Sequence, residues 1–252
     1  MSKPTTGAPQ AAKMAYGVDP WREERYSLRQ ARYDWLAKVI DVWAGEAEAE
    51  GRKLSLVDVG CGQGVLYRYL EPRPHQPNIE ITGADFEPMD RYKPERYAAY
   101  IIDELTEGNP NTPSNAYDVV VCEQVLEHLP RVDKAIAALE RMAKPGGRVC
   151  VGVPIFLPPL HILRNLWIAH SLRTNPEKTW SHIQTFSMRS FLDAMRRHSS
   201  LRLVEVRGFR IVSGGALRKL ENYQWWWRLH QRIGAAIPWA CIEVQGVFVK
   251  PE

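Results

Sequence analysis

The stretch that most narrows what this chain can fold into is Leu56–Gly64, LVDVGCGQG, where an apolar run, an acid and three alternating glycines follow one another. Leu56, Val57 and Val59 read as the end of a buried strand, and Gly60, Gly62 and Gly64 remove the Cβ atoms that would keep a ligand off a sharply turning backbone. A helix can start at about Gln63, with Val65, Leu66, Tyr69 and Leu70 supplying its inner face. Strand, glycine turn and helix make the first half of a nucleotide-binding α/β unit. Glycines also close ordinary strand-to-helix turns, so the residues downstream of the loop decide between the two.

Ile79–Ala84 (IEITGA) is a second apolar run, and it ends at Asp85, where an acid at a strand's carboxyl end can accept from two ribose hydroxyls. A third strand around Tyr97–Ile102 ends in Asp103, and a fourth, Tyr117–Cys122, ends in Glu123. Strands that each stop at a polar or glycine-rich tip predict a parallel sheet with a ligand lying across those tips.

The residues VDVGCGQG at 57–64, GADFEP at 83–88, IIDEL at 101–105, YDVVVCEQVLEHLP at 117–130 and LERMAKPGGRVCVGVP at 139–154 occur in the order and spacing of one family. Over roughly 54–154 the chain resembles a class I S-adenosylmethionine-dependent methyltransferase. The resemblance implies an α/β fold: a seven-stranded Rossmann-like sheet with helices on both faces and two helical insertions over the active site. It implies S-adenosyl-L-methionine as cofactor, with S-adenosyl-L-homocysteine as product. The Gly60–Gly64 loop, with Asp58, Cys61, Gly62 and Gly64, would hold the methionine moiety, and Asp85 the ribose. Asp103 and Leu105 would bracket the adenine, with Phe86 and Glu104 in the same cofactor-binding set. Glu123, Gln124 and Val125 would line the sulfonium end.

A chain of 252 residues with 45% hydrophobic content can bury a full core without disulfides. Its four cysteines, Cys61, Cys122, Cys150 and Cys241, read as reduced core thiols of a cytoplasmic protein, with no C-x-x-C pair. No secretory h-region and no run of 18 apolar residues is present, so neither a signal peptide nor a spanning helix is expected. The net charge of +4 is mild, but Arg196, Arg197, Arg218, Lys219, Arg228 and Arg232 gather late in the chain among aromatics, a mixture suited to anionic lipid or an acidic substrate.

Residues 1–18 are small, polar and proline-interrupted and read as a flexible N-terminus, followed by a single domain over 19–252. Trp21 to Ala47 is helical, with Leu28, Leu36, Ile40 and Trp43 on one side. Past Pro154, Ser187–Arg197 reads as a helix, and Leu201–Phe209 and Ile242–Val249 as the last two strands, the final one antiparallel beside the sixth. Two segments fall outside the sheet, 155–186 and 212–238, and both are expected to hang over the substrate side. In the first, Leu160, Leu163, Leu166 and Trp167 form an apolar arc; in the second, Ala216, Leu220, Tyr223 and Trp227 form a stripe that leaves Trp225 and Trp226 outside it. These helices are either a lid or a peripheral contact with an anionic membrane surface through 212–238.

Transfer from a sulfonium needs mainly alignment, worth about 7 to 11 kcal/mol, and a hydroxyl acceptor adds a use for a general base. His128, in LEHL, is the first candidate base and His182, in WSHIQTFS, the second; His161 and His170 are weaker. Relatives with E-x-x-E-H bind a divalent metal, but Gln124 stands at the first acidic position, and an amide is a poorer ligand for a hard cation; no metal is expected. The expected acceptor is a small or lipid-linked hydroxylated molecule, including a quinone ring. Glu123-Gln-Val-Leu replaces the base-stacking N/D-P-P-Y/F/W loop of adenine methylation, so nucleic acid is not expected as a partner. A dinucleotide-dependent oxidoreductase and a catalytically silent cofactor-binding or membrane-docking module are the alternatives. Oligomeric state is not legible.

Overall fold

The computed structural model describes Leu28 and residues 31–62, 64–87, 96–174, 182–211 and 215–252. The expected N-terminal tail at 1–18, the first turns of the Trp21–Ala47 helix and Gln63 lie outside this set.

Seven strands form one sheet: β1 (Leu54–Val59), β2 (Ile79–Asp85), β3 (Ala99–Ile102), β4 (Tyr117–Glu123), β5 (Ala143–Pro154), β6 (Arg202–Phe209) and β7 (Glu243–Val249), in the order β3-β2-β1-β4-β5-β7-β6. The first five strands pair in parallel, and β7 lies antiparallel between β5 and β6. The order reverses at β1, so the connections from β1 and β4 leave in opposite directions and their carboxyl tips open a crevice between them.

Helix α1 (Ala31–Ala49) packs Leu36, Ile40, Ala44 and Ala47 against one face, together with the short α2 (Val65–Leu70). On the other face lie α3 (Val132–Met142) and α5 (Met188–His198), through Ile136, Leu139, Phe191 and Met195. Strand alternation sorts the two cores: Leu56, Val119 and Val121 point to the α1 side, and Val57, Val120 and Cys122 to the α3 side. Helix α5 starts at Ser187 with a capping box, Ser187 and Ser190 exchanging side-chain to backbone hydrogen bonds. All four cysteines are free and buried.

The two insertions go to different places. Helix α4 (Leu160–Thr174), from 155–186, lies beside the carboxyl tips: Asn165 exchanges hydrogen bonds with the Thr185 backbone at 2.7 and 3.1 Å, and Ile155 bridges to Phe186. Helix α6 (Gln224–Ala236), from 212–238, does not hang over the substrate side as expected. It packs along β6 on the α1 face, Trp227 joining the α1 core with Lys38 over its ring, and Gly234 lying directly against the Gly208 backbone. The buried face of α6 is Trp227, His230 and Gly234 and not the expected stripe, of which Tyr223 precedes the helix and is exposed; β6 is the edge strand, and its outer face lacks a covering helix until α6 supplies one. The side chains of Ala216 and Arg218 lie outside the described set.

Candidate active site

A cavity of about 470 Å³ opens at the tips of β1, β2, β3 and β4. Nine expected site residues line it: Gly60, Asp85, Phe86, Asp103, Glu104, Leu105, Gln124, Val125 and His128. Six do not: Asp58, Cys61, Gly62, Gly64, Glu123 and His182. Val59, Ala84, Thr106, Asn109 and Leu129 line it unanticipated.

The glycine loop is shaped by two requirements. Gly60, Gly62 and Gly64 all have left-handed backbones, at φ of 71°, 49° and 67°, which side chains with a Cβ rarely adopt. A Cβ on Gly60 would in addition overlap Val125, whereas one on Gly62 would meet nothing among the described residues. Asp85 braces the loop: Oδ2 accepts from the Gly62 amide at 2.8 Å and Oδ1 from the Phe86 amide at 2.8 Å. A carboxylate has about four acceptor sites, so two remain for a diol.

Glu123 is the clearest departure from expectation. Alternation along β4 turns its side chain to the α1 face, away from the cavity, where its Oε1 accepts from Gln245 Nε2 at 2.6 Å and Oε2 lies 3.2 Å from Arg32 Nε. Arg32 also meets Glu243 at 3.2 Å, and Arg210 meets Glu243 at 2.9 Å. Burial pushes the Glu123 carboxyl up to about 8, against the pull of Arg32. Asp58 is on the same face and is pushed up to about 7 by burial and by Asp85. A layer of buried ionisable groups thus underlies the tips and links α1 to β4 and β7 through Arg32. Sequence reading missed Arg32, because a charged residue on an amphipathic helix looks solvated until its partners are known.

Beyond the tip of β4, Leu126–His128 forms a single 3-10 turn. His128 lines the cavity, and the His182 ring stands perpendicular to it with centroids 4.8 Å apart. Gln184 ties the two segments together, its Nε2 donating to the Leu126 and Leu129 carbonyls at 3.0 and 2.6 Å. Glu127 is fully buried, and neither carboxylate oxygen has a hydrogen-bond partner among the described residues. Burial pushes its carboxyl up to about 7. Burial, then His128 and Arg164, lower the affinity of His182 for a proton. Ligand atoms of Glu127, His128 and His182 all lie within 4.8 Å of one another, a grouping able to hold a cation. His161 and His170, on α4, line no part of this cavity.

Gln124 adopts a left-handed backbone at φ 58°, and its buried Nε2 has no partner among the described residues. Strained backbone and an orphaned donor at a strand tip are features of a ligand site.

A methyltransferase-domain family profile matches residues 14–212. The ubiquinone biosynthesis O-methyltransferase of Alkalilimnicola ehrlichii is 26% identical over 218 residues, covering 79% of this chain and 81% of the relative. The enzyme of the same name from Bordetella bronchiseptica is 27% identical over 224 residues, covering 81% and 89%. Among solved structures, a putative sarcosine dimethylglycine methyltransferase from Galdieria sulphuraria superposes with a TM-score of 0.53 at 15% identity, covering 84% of this chain and 85% of that one. The 1,6-didemethyltoxoflavin-N1-methyltransferase of Burkholderia thailandensis, solved with S-adenosylhomocysteine, gives 0.51 at 12% identity over 100% and 94%. These two likenesses concern the fold.

Proposed function

Because the chain belongs to the class I S-adenosylmethionine-dependent methyltransferases, we propose that it methylates a hydroxyl oxygen of a small or lipid-linked acceptor, with His128 as the general base. S-adenosylmethionine, when bound, supplies an already activated methyl group, so the protein's tasks are to hold, align and deprotonate.

The lining fits that cofactor. Its volume is in the usual range for small-molecule pockets, roughly 300 to 1,000 Å³, and it is walled by Leu105, Phe86, Val125 and Leu129 with polar groups at both ends. Asp85 has acceptor capacity left for the ribose hydroxyls, and Phe86 and Leu105 offer apolar surface to the purine ring. Gly60, Gln124 and Val125 bound the end nearest His128. Asp58, Cys61, Gly62 and Gly64 act by shaping the loop, and Glu123 by fixing α1 beneath it.

The observation that carries the acceptor reading is the position of His128 in the cavity wall, with a second imidazole edge-on behind it. Burial, with His128 and Arg164, lowers the proton affinity of His182, so His182 is a poor site for the abstracted proton and acts through its ring contact with His128. The names of the curated relatives, O-methyltransferases of ubiquinone biosynthesis, support an oxygen acceptor. We read Glu127 as holding a proton rather than a metal, since Gln124 replaces a charged ligand. The test is turnover of a panel of phenolic and quinol acceptors. His128→Ala should lower it ~10² to 10⁴-fold with cofactor affinity nearly intact, and a chelator should leave the wild-type rate unchanged. Full activity in both His128→Ala and His182→Ala would leave alignment alone to drive the transfer.

A membrane-borne acceptor is favoured by one further observation. Helix α4, beside the tips, exposes Leu160, Ile162, Leu163, Leu166 and Trp167, and the stretch 157–174 contains arginine but no acid. Such a face suits an anionic surface contact for a protein acting in the cytoplasm. Within 212–238 only part of the expected aromatic surface is available: Trp225 is 54% exposed, Trp226 is half-buried and Trp227 buried. Among the described residues no helix is long and apolar enough to cross a membrane.

A further inference from the structure

Helix α4 is built inside out. Leu160, Ile162, Leu163, Leu166 and Trp167 are exposed, and the positions turned toward the protein recur at helical spacing as His161, Arg164, Asn165 and Ile168. Of this inner face only Ile168, 4% exposed, is an ordinary core residue. A helix that merely covered the strand tips would turn leucine inward and leave the guanidinium to water. The inner polar groups therefore need partners, and Asn165 has them in the Thr185 backbone.

Arg164 does not. It is half-buried, and among the described residues it has neither an ion pair nor a hydrogen bond; its Nε is buried and unmet. What holds it is a ring: the guanidinium lies over Phe156, 4.8 Å from the centroid, and the Phe156 amide donates to the Phe186 carbonyl at 2.8 Å. His161, three residues before Arg164 on the same face, and His182, two residues before Gln184, each have a buried Nδ1 without a partner among the described residues. Arg164 stands near enough to His182 for its charge to lower that ring's affinity for a proton, and His182 is edge-on to His128 in the cavity wall. No acid answers the guanidinium: 157–174 holds none, and Glu127, grouped with His182, makes no ion pair with it. A cation drawn partly out of water without a counter-charge is costly unless an anion completes it.

We propose that Arg164 recognises an oxyanion on the methyl acceptor, so that the acceptor is a hydroxylated acid bearing a carboxylate or phosphate. Stacking on Phe156 occupies one face of the guanidinium and leaves its edge, where paired N–H groups match two oxygens of such a group. The acceptor's hydroxyl is then turned to His128 and its acid to α4, with the unmet nitrogens of His161 and His182 on the same side. The inference rests on the acceptor reading above and adds to it the class of acceptor, with Arg164 as the residue that selects it.

The experiment is calorimetric titration of the S-adenosylhomocysteine-saturated protein with 3,4-dihydroxybenzoate and with its methyl ester, which keeps the hydroxyls and loses the charge. The wild-type protein should prefer the acid by about tenfold or more, the discrimination expected of a charge-assisted pair. In Arg164→Gln the two should bind within about twofold of each other, with S-adenosylhomocysteine affinity unchanged. Arg164→Lys, which keeps the charge and loses the fork, should retain part of the preference. Arg173→Gln, on the exposed end of the same helix, should retain all of it. Equal affinities in the wild type, binding of neither compound, a preference that survives Arg164→Gln, or its loss in Arg173→Gln would overturn the proposal. Turnover separates it from the hydroxyl reading: equal methylation of acid and ester would remove the acid site alone, and a preference in binding without methylation of either would remove the hydroxyl reading alone. Phosphatidylglycerol vesicles test the other source of phosphate. If Arg164→Gln lowers cosedimentation and leaves the acid preference intact, the guanidinium serves a headgroup and the proposal falls.

Discussion

At the residue scale, the cavity depends on single groups with two jobs. Asp85 holds the Gly62 amide and, in the proposed function, offers its remaining lone pairs to a ribose. Asp85→Ala should therefore weaken S-adenosylmethionine by about tenfold or more, on the order of 1.4 kcal/mol, in a titration; unchanged affinity in a folded variant would remove the ribose role. Glu127 gives a prediction with a sign. Its folded carboxyl is raised to about 7 from 4.5, so the fold favours the protonated form. That contribution is present in full below about pH 4.5 and is lost as pH rises through 7. Wild-type melting temperature should fall between about pH 5 and 8, and Glu127→Gln should flatten the fall, with a gain at about pH 8 of up to about 3 kcal/mol. An equally steep fall in the variant would mean that Glu123 and Asp58 carry the effect.

At the element scale, strands were more legible than helices, for a physical reason. A strand's polar tip is a local signal, and β1 to β5 end where Gly60, Asp85, Asp103, Glu123 and Pro154 said they would, within a residue or so. Which face a tip residue chooses depends on the register of its neighbours, and this is why Glu123 read as cavity lining and lies instead against Gln245. An amphipathic helix likewise declares that one face is buried without naming the partner, so α4 and α6 looked alike in sequence, yet one docks beside the strand tips and the other along the edge strand. Asn109 was invisible because Gly-Asn-Pro-Asn reads only as a turn. The surface prediction belongs to α4: cosedimentation with anionic vesicles that weakens with salt and falls severalfold when Leu163 and Trp167 are changed to serine. Trp225→Ser should contribute less, and Trp226→Ser should perturb packing instead, since that ring meets His230 at 4.4 Å. No binding to vesicles of any composition would assign the exposed face to a lid over a soluble acceptor.

At the scale of the whole molecule, the two faces divide the labour. The α3 face carries the turn that presents His128, and the α1 face carries the buried polar layer of Arg32, Glu123, Glu243 and Gln245 beneath the tips. The cavity sits at the point where β1 and β4 part, and depends on both. Strand β7 is made after β6 yet lies inside it in the sheet, pairing with β5 on one side and β6 on the other. During vectorial synthesis on a ribosome the first five strands can assemble as they emerge, but β6 has no neighbour to join. It must wait as a tethered, unpaired ribbon, with α6 unable to settle on it, until the residues from Glu243 onward leave the exit tunnel and slide between. Glu243, which meets both Arg32 and Arg210, would be the last charge to arrive. The layer under the strand tips would then close only once Glu243 is in place, so that a chain stopped short of Glu243 has most of its sheet but no finished cavity floor.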